Sequence, residues 1–324
     1  MKLTTTVTAV VPSYNHARFI RQRIESILAQ TYRPLEIIVI DDCSTDDSDA
    51  IIRTLQSEHG FTYHRNDTNS GSPFSAWQHI GSQAMGDYLW LCESDDFAEP
   101  EFLQTAVSAL EADNTAVLFY CNSWVVDDSG NRVGHTSTYF QDYWKDPRWD
   151  ANFSASGPEE LAHFQVRGQT VPNMSSALIK ASAFRVACTP LLRRFRLTGD
   201  WLFIGRVMQQ GAVVFSPQAL NNFRQHDGTA RVRVHSARSQ AEFILTIYLL
   251  WRQAQLPVKA FVPLITPAAA RFIGISSERL SVIKTLFAIS LKHTLGCALL
   301  LALSIPLNLR YLFSLISQNR HTRA

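Results

Sequence analysis

The sequence of 324 residues predicts an α/β protein with a doubly wound, mostly parallel sheet flanked by helices. Short β-branched runs alternate with segments in which apolar residues recur at helical spacing. One run, residues 35–40, is almost wholly apolar, which is typical of a strand buried on both faces of a parallel sheet. Polar residues directly follow three of the runs. Because parallel strands end at one edge of a sheet, these residues are expected to meet there and form a ligand site.

The first 100 residues contain four predicted strands. The β-branched run at 7–11 ends at Pro12, and the next apolar residues recur every three or four positions, which predicts an amphipathic helix that ends near Gln30. Ser44 and Asp47 resemble a capping pair at the start of a second helix. The remaining elements of this half are predicted strands at 35–40, 61–64 and 88–92 and a helix at 74–85.

The second half has a less regular pattern. The predicted elements are a helix at 101–112, strands at 117–122, 174–179, 212–215 and 219–223, and a helix that begins at Asp200 and stops at Gly211. Residues 139–169 are rich in aromatic side chains and are expected to be loop-like. Two interpretations of this segment stay open: a lid over an acceptor, or packing against the core.

Charge divides the chain unevenly and suggests two domains, 1–235 and 236–324. The first is expected to consist of two halves, residues 1–122 and residues 123–235. From residue 243 onward, nine Lys and Arg residues accompany a single acid, Glu278, in helical and apolar sequence. This composition suggests peripheral contact with an anionic membrane rather than with nucleic acid. A buried helix pair that covers the sheet is the alternative.

Cysteine usage and the first residues indicate a cytoplasmic location. The five cysteines include no C-x-x-C pair and are expected to be reduced. The chain begins Met-Lys-Leu-Thr-Thr-Thr and lacks the apolar core of a signal peptide. Together with the basic tail, this predicts a protein at the inner face of the cell membrane.

Three acids, Glu93, Asp95 and Asp96, fall within four positions after the strand at 88–92. Carboxylates this close repel one another and, when buried, need a cation or hydrogen-bond donors nearby. At the carboxyl end of a strand, a divalent ion that carries phosphates is one solution. A solvated acidic turn before the helix at 101–112 is the other.

Five short motifs in order resemble the family 2 glycosyltransferases over roughly residues 5–230. They are Val-Val-Pro-Ser-Tyr-Asn at 10–15, Ile-Asp-Asp-Cys-Ser-Thr-Asp at 40–46, Ser-Asp-Asp at 94–96, Gly-Asp-Trp at 199–201 and Arg-Gln-His at 224–226. The resemblance implies a glycosyltransferase-A fold with a Rossmann-like sheet and a helical C-terminal extension. Residues 1–122 would bind a nucleotide-diphosphate sugar, and residues 123–235 would bind the acceptor.

The resemblance also implies roles for individual residues. UDP-sugar is the favoured donor, because an Asp carboxylate can accept the uracil imide N–H. The nucleotide-sugar would be bound by Pro12, Tyr14, Asp41 and Asp95. Asp96 and His226 would ligate Mg²⁺ or Mn²⁺ at the diphosphate, although a histidine can equally be a packing residue. Asp42 and Glu93 are interpreted as supporting residues, and Arg18, Arg21 and Arg23 as a solvated helix face.

Asp200 is the implied general base. A single displacement from the face opposite the diphosphate needs one base and inverts the anomeric centre. The alternative is that Asp200 only caps the helix that follows it. Many relatives carry Glu before this Asp, whereas Gly199 stands here.

The resulting hypothesis is an inverting, metal-dependent glycosyltransferase. Its acceptor would be a saccharide or a lipid-linked molecule in cell-surface polysaccharide, lipopolysaccharide or glycoprotein glycan synthesis. A catalytically silent nucleotide-sugar-binding scaffold is the alternative. A dinucleotide or Walker-type enzyme is disfavoured because residues 12–17 contain no glycine.

Overall fold

The computed structural model describes residues 5–33, 35–77, 86–226, 236–261, 263–265, 281–290, 293–294 and 296. The strands are β1 (Val7–Ser13), β2 (Leu35–Asp41), β3 (Thr62–Arg65), β4 (Tyr88–Leu91), β5 (Phe97–Ala98), β6 (Ala116–Val126), β7 (Arg132–His135), β8 (Phe153–Ser156), β9 (Ala177–Lys180) and β10 (Ala212–Arg224). The longer helices are α1 (Ile20–Leu28), α2 (Ser48–His59), α3 (Phe102–Ala112), α4 (Ala181–Ala187), α5 (Gly199–Met208) and α6 (Ala237–Gln253).

The strands form one sheet in the order β3-β2-β1-β4-β9-β6-β10-β5, with β7 beside β6 and β8 beside β10. The α/β class is confirmed, and the first four strands are parallel as expected. The sheet as a whole is mixed, however, because β9 runs antiparallel to both β4 and β6. The chain enters β9 from the edge where the parallel strands end, since Asn173 bonds to Asp96 there, and so β9 must run back.

Each face of the sheet carries its own hydrophobic cluster, because side chains alternate along every strand. On one face, α1, α2 and α3 cover residues such as Val11 and Trp90. On the other face, α4, α5 and α6 cover Val10 and Leu91. Arg23 does not belong to a solvated helix face as expected: it is fully buried, with its guanidinium 4.7 Å from the ring centroid of Trp90.

The aromatic segment at 139–169 is largely ordered rather than loop-like. It contains β8 and short helical segments at Ser137–Tyr139, Phe140–Trp144, Pro147–Asp150, Gly157–Glu160 and Leu161–Gln165. Phe140 and Trp149 are buried and stack with centroids 4.8 Å apart, which supports the packing interpretation for much of the segment. Short helical turns also occur at Met174–Ser176 and Pro190–Arg194, and the two strands predicted at 212–223 form a single irregular strand, β10.

Several predictions fall on the margins of what the structure describes. Most of the predicted helix at 74–85 lies outside the described residues, as does the apolar stretch between Lys292 and Arg310. Residues 281–290 are helical and pack Val282, Leu286 and Ile289 into the second cluster. In the described part of the chain, no helix combines the length and hydropathy needed to cross a membrane. Four cysteines are free thiols, and Cys297 lies outside the described residues.

Candidate active site

The loop after β1 is joined to the loop after β2 by hydrogen bonds. Asn15 has a left-handed backbone (φ 54°), which asparagine tolerates better than most residues. Its Oδ1 accepts the Thr45 amide at 2.8 Å, and its amide donates to Ser44 Oγ at 2.9 Å. The His16 amide donates to Ser48 Oγ at 3.1 Å. These bonds fix the positions of His16 and of Tyr14, whose side chain is 45% exposed at the sheet edge.

Asp41, at the end of β2, is completely buried. Its carboxylate accepts hydrogen bonds from the Ser44 hydroxyl, from the Ser44 amide at 3.1 Å and from Arg65 Nε at 3.1 Å. It therefore supports the loop, and its predicted contact with the nucleobase stays a prediction. Pro12, within β1, lies beside Ile40 of β2 and is half-buried.

Asp42 points to a different loop from Asp41. Its carboxylate accepts Asn66 Nδ2 at 2.7 Å and the Ser70 amide at 3.0 Å. This agrees with the supporting role expected for Asp42, because the contacts tie the loop after β3 to the end of β2.

Three side chains from separate elements converge at the carboxyl edge of the sheet. The potential ligand atoms of His16, Asp95 and His226 all lie within 4.8 Å of one another. His226 Nε2 is 3.2 Å from Asp95 Oδ2, and His16 Nδ1 is 2.6 Å from Ser94 Oγ. The two imidazole rings meet edge to face with centroids 5.9 Å apart. Imidazole nitrogens and carboxylate oxygens are common ligands for divalent transition metals, so these residues fit such an ion.

Burial and neighbouring groups shift the pKa values of all three residues in this cluster. Burial lowers the pKa of His16 and so favours its neutral, ligating form. Burial acts to raise the pKa of Asp95, but the hydrogen bond from His226, together with the positive charge of His16 when that ring is protonated, outweighs burial and lowers that pKa. The same hydrogen bond raises the pKa of His226.

Asp96 has a different environment from Asp95. It is 1% exposed, and its carboxylate accepts Asn173 Nδ2 at 2.7 Å and the Arg224 amide at 2.9 Å. Burial, followed by the nearby Asp95 carboxylate, raises its pKa. The sequence assigned the metal to Asp96 and the ribose to Asp95, whereas the structure brings Asp95 together with His226 and directs Asp96 into the interior.

Arg224 joins the segments that surround the cluster. Its buried guanidinium donates to the carbonyls of Asp95 (2.7 Å), Asp127 (3.0 Å) and Asp128 (2.9 Å) and to Gln22 Oε1 (2.7 Å). The arginine of the Arg-Gln-His motif is thus a positioning residue for the turn that carries Asp95.

Asp200 lies in the first turn of α5. It accepts the Trp201 amide at 2.8 Å and Gln169 Nε2 at 3.4 Å, but it is not the cap of the helix, because Thr198 occupies that position. The segment before it is held by the buried Glu242 of α6, which accepts the backbone amides of residues 196, 197 and 198 at 2.8–3.1 Å. Steric crowding accounts for glycine at position 199, because a Cβ there would lie 2.6 Å from the ring of Phe74.

A cleft of about 310 Å³ is lined by residues adjacent to Asp200 and to His226. Gln169, which contacts Asp200, contributes to one part of its wall, and Gln225, next to His226, contributes to another. The full set of lining residues is Val125, His135, Thr136, Tyr139, Gln169, Pro172, Phe223 and Gln225. The cleft is therefore lined by two side-chain amides and by several rings.

Sequence reasoning did not single out His16, Gln169 or Asn173. Asn173 links the acids, because Nδ2 donates to Asp96 and, at 3.2 Å, to Glu93. Of the three, only His16 could have been identified from the sequence, because it directly follows the loop motif at 10–15. Gln169 and Asn173 lie in the irregular segment, where no periodicity predicts their direction.

The comparisons with known proteins agree on a family and a fold. The family model described as glycosyl transferase family 2 matches residues 8–171. An uncharacterized glycosyltransferase of Rickettsia typhi is 26% identical over 222 residues, 68% of this chain and 64% of that protein. The poly(ribitol-phosphate) β-N-acetylglucosaminyltransferase TarS of Staphylococcus aureus is 29% identical over 111 residues, 34% of this chain and 19% of TarS. The chain thus covers less than two thirds of either relative.

Solved structures show the same fold. A crystal structure of TarS residues 1–349 from Staphylococcus aureus with UDP matches with a TM-score of 0.63 at 17% identity, over 88% of this chain and 80% of that one. A mannosyltransferase of Pyrobaculum calidifontis with GDP-Man and Mn²⁺ matches with a TM-score of 0.53 at 18% identity, over 97% of this chain and 88% of that one. These matches identify a glycosyltransferase-A fold.

Proposed function

Because the chain belongs to glycosyl transferase family 2, we propose that it is an inverting enzyme that transfers a sugar from a nucleotide-diphosphate sugar, with UDP-sugar the favoured donor. The observation that carries the proposal is the convergence of His16, Asp95 and His226, together with a cleft lined by Gln225, next to His226, and by Gln169, which contacts Asp200. A base and a site for a diphosphate are needed on either side of the reacting centre, and both lie at the sheet edge where α/β proteins bind ligands.

A divalent ion, Mg²⁺ or Mn²⁺, would be held by Asp95 and His226. When bound, the ion neutralises the charge that gathers on the diphosphate as the glycosidic bond breaks. Asp95 is preferred to Asp96 because its carboxylate faces His226 at 3.2 Å, whereas both oxygens of Asp96 accept hydrogen bonds from protein donors. Asp96 would position the turn that carries Asp95.

The nucleoside would bind beside the loop after β1. Tyr14 is large, aromatic and 45% exposed, and an exposed ring of this kind can stack on a base. Pro12 and Asp41 would shape the same pocket, with Asp41 acting through the buried contacts to Ser44 and Arg65. The structures of TarS with UDP and with UDP-GlcNAc support a uridine nucleotide as the first ligand to test.

Asp200 would take the proton from an acceptor hydroxyl. The oxygen then attacks the anomeric carbon, the bond to the diphosphate breaks, and the nucleoside diphosphate leaves with the bonding electrons. Gln169, which contacts Asp200 and lines the cleft, and the Trp201 amide would hold the Asp200 carboxylate in position for this step.

The acceptor would be a saccharide or a lipid-linked saccharide bound in the cleft. Tyr139, His135 and Phe223 offer ring faces, and Gln169 and Gln225 offer amides that pair with hydroxyl groups. Cell-surface polysaccharide, lipopolysaccharide or glycoprotein glycan synthesis at the inner face of the membrane would be the setting. The basic C-terminal segment supports this location, since it can attract anionic lipids.

A thermal-shift panel of UDP, GDP, ADP and CDP, each with and without Mn²⁺, tests the proposal. A ligand that binds only the folded protein raises its Tm, on the order of 5 °C at a hundredfold excess over Kd for a domain of this size. We expect a shift with UDP that requires Mn²⁺ and is lost in Asp95→Asn.

Asp142→Asn, an exposed acid on the Phe140–Trp144 segment, is the matched control and should leave the shift unchanged. The absence of any nucleotide-dependent shift in the wild-type protein would overturn the donor assignment. Nucleotide binding without release of UDP from UDP-GlcNAc or UDP-glucose, even with an acceptor library, would favour the silent scaffold.

A further inference from the structure

The cluster at the sheet edge contains one more metal-binding side chain than the proposed function requires. His16 and His226 are two imidazoles on either side of the one carboxylate of Asp95. Building on the proposed function, we propose that His16 is a third protein ligand of the divalent ion, and that two imidazole ligands make the site selective for Mn²⁺ over Mg²⁺.

The distances fit a shared ion with little movement. Two ligand bonds of about 2.1 Å place their ligand atoms no more than about 4.2 Å apart. The ligand atoms of the three residues are already within 4.8 Å of one another. At most one pair of three ligand atoms can lie opposite across the ion, and neighbouring ligand atoms lie about 3.0 Å apart, so the approach needs side-chain shifts of about 1 Å, which rotation about χ angles supplies.

The surroundings of His16 orient its imidazole as they do in a metal ligand. Ser94 Oγ lies 2.6 Å from Nδ1, so that nitrogen can donate its proton to the hydroxyl and leave the lone pair of Nε2 for the metal. An oxygen partner on the second ring nitrogen is typical of metal-bound histidines, because it fixes the tautomer and the ring orientation. The His16 amide is also bonded to Ser48, and Phe19 packs edge-on against the ring.

The composition of the cluster sets its preference among ions. Mg²⁺ favours oxygen ligands in a strict octahedron and retains water, whereas imidazole nitrogens suit transition metals. With one imidazole and one carboxylate, a site can accept either ion. A second imidazole favours Mn²⁺ over Mg²⁺, and an ion held by these three residues would still be able to bind diphosphate oxygens and water.

The experiment is an electron paramagnetic resonance titration of the full-length protein with Mn²⁺, repeated with Mg²⁺ as competitor and with UDP present. His16→Gln is the main variant, because it keeps a polar side chain of similar size. We expect this substitution to weaken Mn²⁺ binding at least tenfold, to change Mg²⁺ binding less than threefold, and so to reduce the preference for Mn²⁺. His59→Ala, an exposed histidine at the end of α2, should change neither affinity.

Electron spin-echo spectroscopy of the bound Mn²⁺ counts the nitrogen ligands directly. The wild-type protein should show couplings from two imidazoles, and His16→Gln from one. If His16 only packs between Phe19 and His226, the variant will lose stability while the nitrogen count and the metal preference stay those of the wild type.

The outcomes separate this inference from the proposed function. Metal-dependent UDP binding with a single imidazole on the wild-type ion would overturn the role of His16 and leave the proposed donor site intact. Failure of the wild-type protein to bind Mn²⁺, with or without UDP, would overturn both. The nitrogen count in the wild-type protein decides the question even if His16→Gln does not fold.

Discussion

The two sides of the proposed active site, a donor side with the loops after β1 and β2 and an acceptor side with Asp200, are stabilised in different ways. On the donor side, the loops after β1 and β2 bond to each other, through Asn15 and Thr45 and through His16 and Ser48. On the acceptor side, Asp200 follows a segment held by Glu242, which is 46 positions from Arg196 in the sequence. Donor binding should therefore persist when the support of Asp200 is weakened, whereas transfer should not.

The largest expected effect comes from Asp200→Asn. An amide cannot accept the proton from the acceptor hydroxyl, and loss of a general base costs a factor of about 10² to 10⁴ in rate. We expect kcat to fall by that order while the metal-dependent thermal shift with UDP stays at the wild-type value. The measurement is UDP release with a working acceptor, beside the nucleotide shift.

This substitution tests the alternative role of Asp200 as well. Asparagine has the same size as aspartate, and its side-chain oxygen can still accept the Trp201 amide, so the helix should be retained. Turnover near the wild-type value in Asp200→Asn would reduce Asp200 to a residue that only stabilises α5. A loss of UDP binding as large as the loss of turnover would show that the two sides of the cleft are not independent.

A change in α6 should affect the acceptor side from a distance. Glu242→Ala removes the acceptor of three backbone amides before α5, of which the Thr198 amide is buried and the other two are partly buried. Each such group costs about 1–3 kcal/mol, so we expect a loss of about 3 kcal/mol in the free energy of unfolding, measured by denaturant titration. Turnover should fall more than UDP affinity does.

Glu159→Ala, an exposed acid on the Gly157–Glu160 segment, is the control for the loss of a carboxylate and should leave stability within 0.5 kcal/mol of the wild type by the usual behaviour of surface sites. Equal losses of UDP affinity and turnover in Glu242→Ala would contradict the independence of the two sides.

The same difference explains which features the sequence could predict. The alternation of strands and helices in the first half depends on local periodicity, and the motifs at 10–15 and 40–46 lie at strand ends as expected. Periodicity does not show which distant residues will contact each of two acids that are adjacent in the sequence. Asp95 and Asp96 are neighbours in the sequence, yet Asn173 and Arg224, both far along the chain, direct Asp96 inward.

The second half was predicted less well for the same physical reason. The antiparallel direction of β9 follows from where the preceding segment meets the sheet edge, which no local pattern records. The domain boundary at residue 235 stays a prediction. Beyond it, Glu242 bonds to the segment before α5 and α6 shares a hydrophobic cluster with α5, so these residues contribute to the support of Asp200.

The smallest effect should come from the donor-side loop, where Asn15 has two separable functions. Asn15→Ala removes the contacts to Thr45. It also leaves in a left-handed backbone a residue that, unlike asparagine, has no polar side chain to stabilise that conformation, so we expect a combined loss of about 2 kcal/mol in the free energy of unfolding. Asn15→Gly keeps the backbone freedom, so it should lose only about 1 kcal/mol. In both variants UDP affinity should fall while turnover at saturating donor stays near the wild-type value, which reverses the pattern of Glu242→Ala. Denaturant titration measures the free energy of unfolding, and the nucleotide-dependent thermal shift measures UDP affinity. Equal losses of unfolding free energy in the two variants would mean that the left-handed backbone at position 15 adds nothing to the cost of Asn15→Ala.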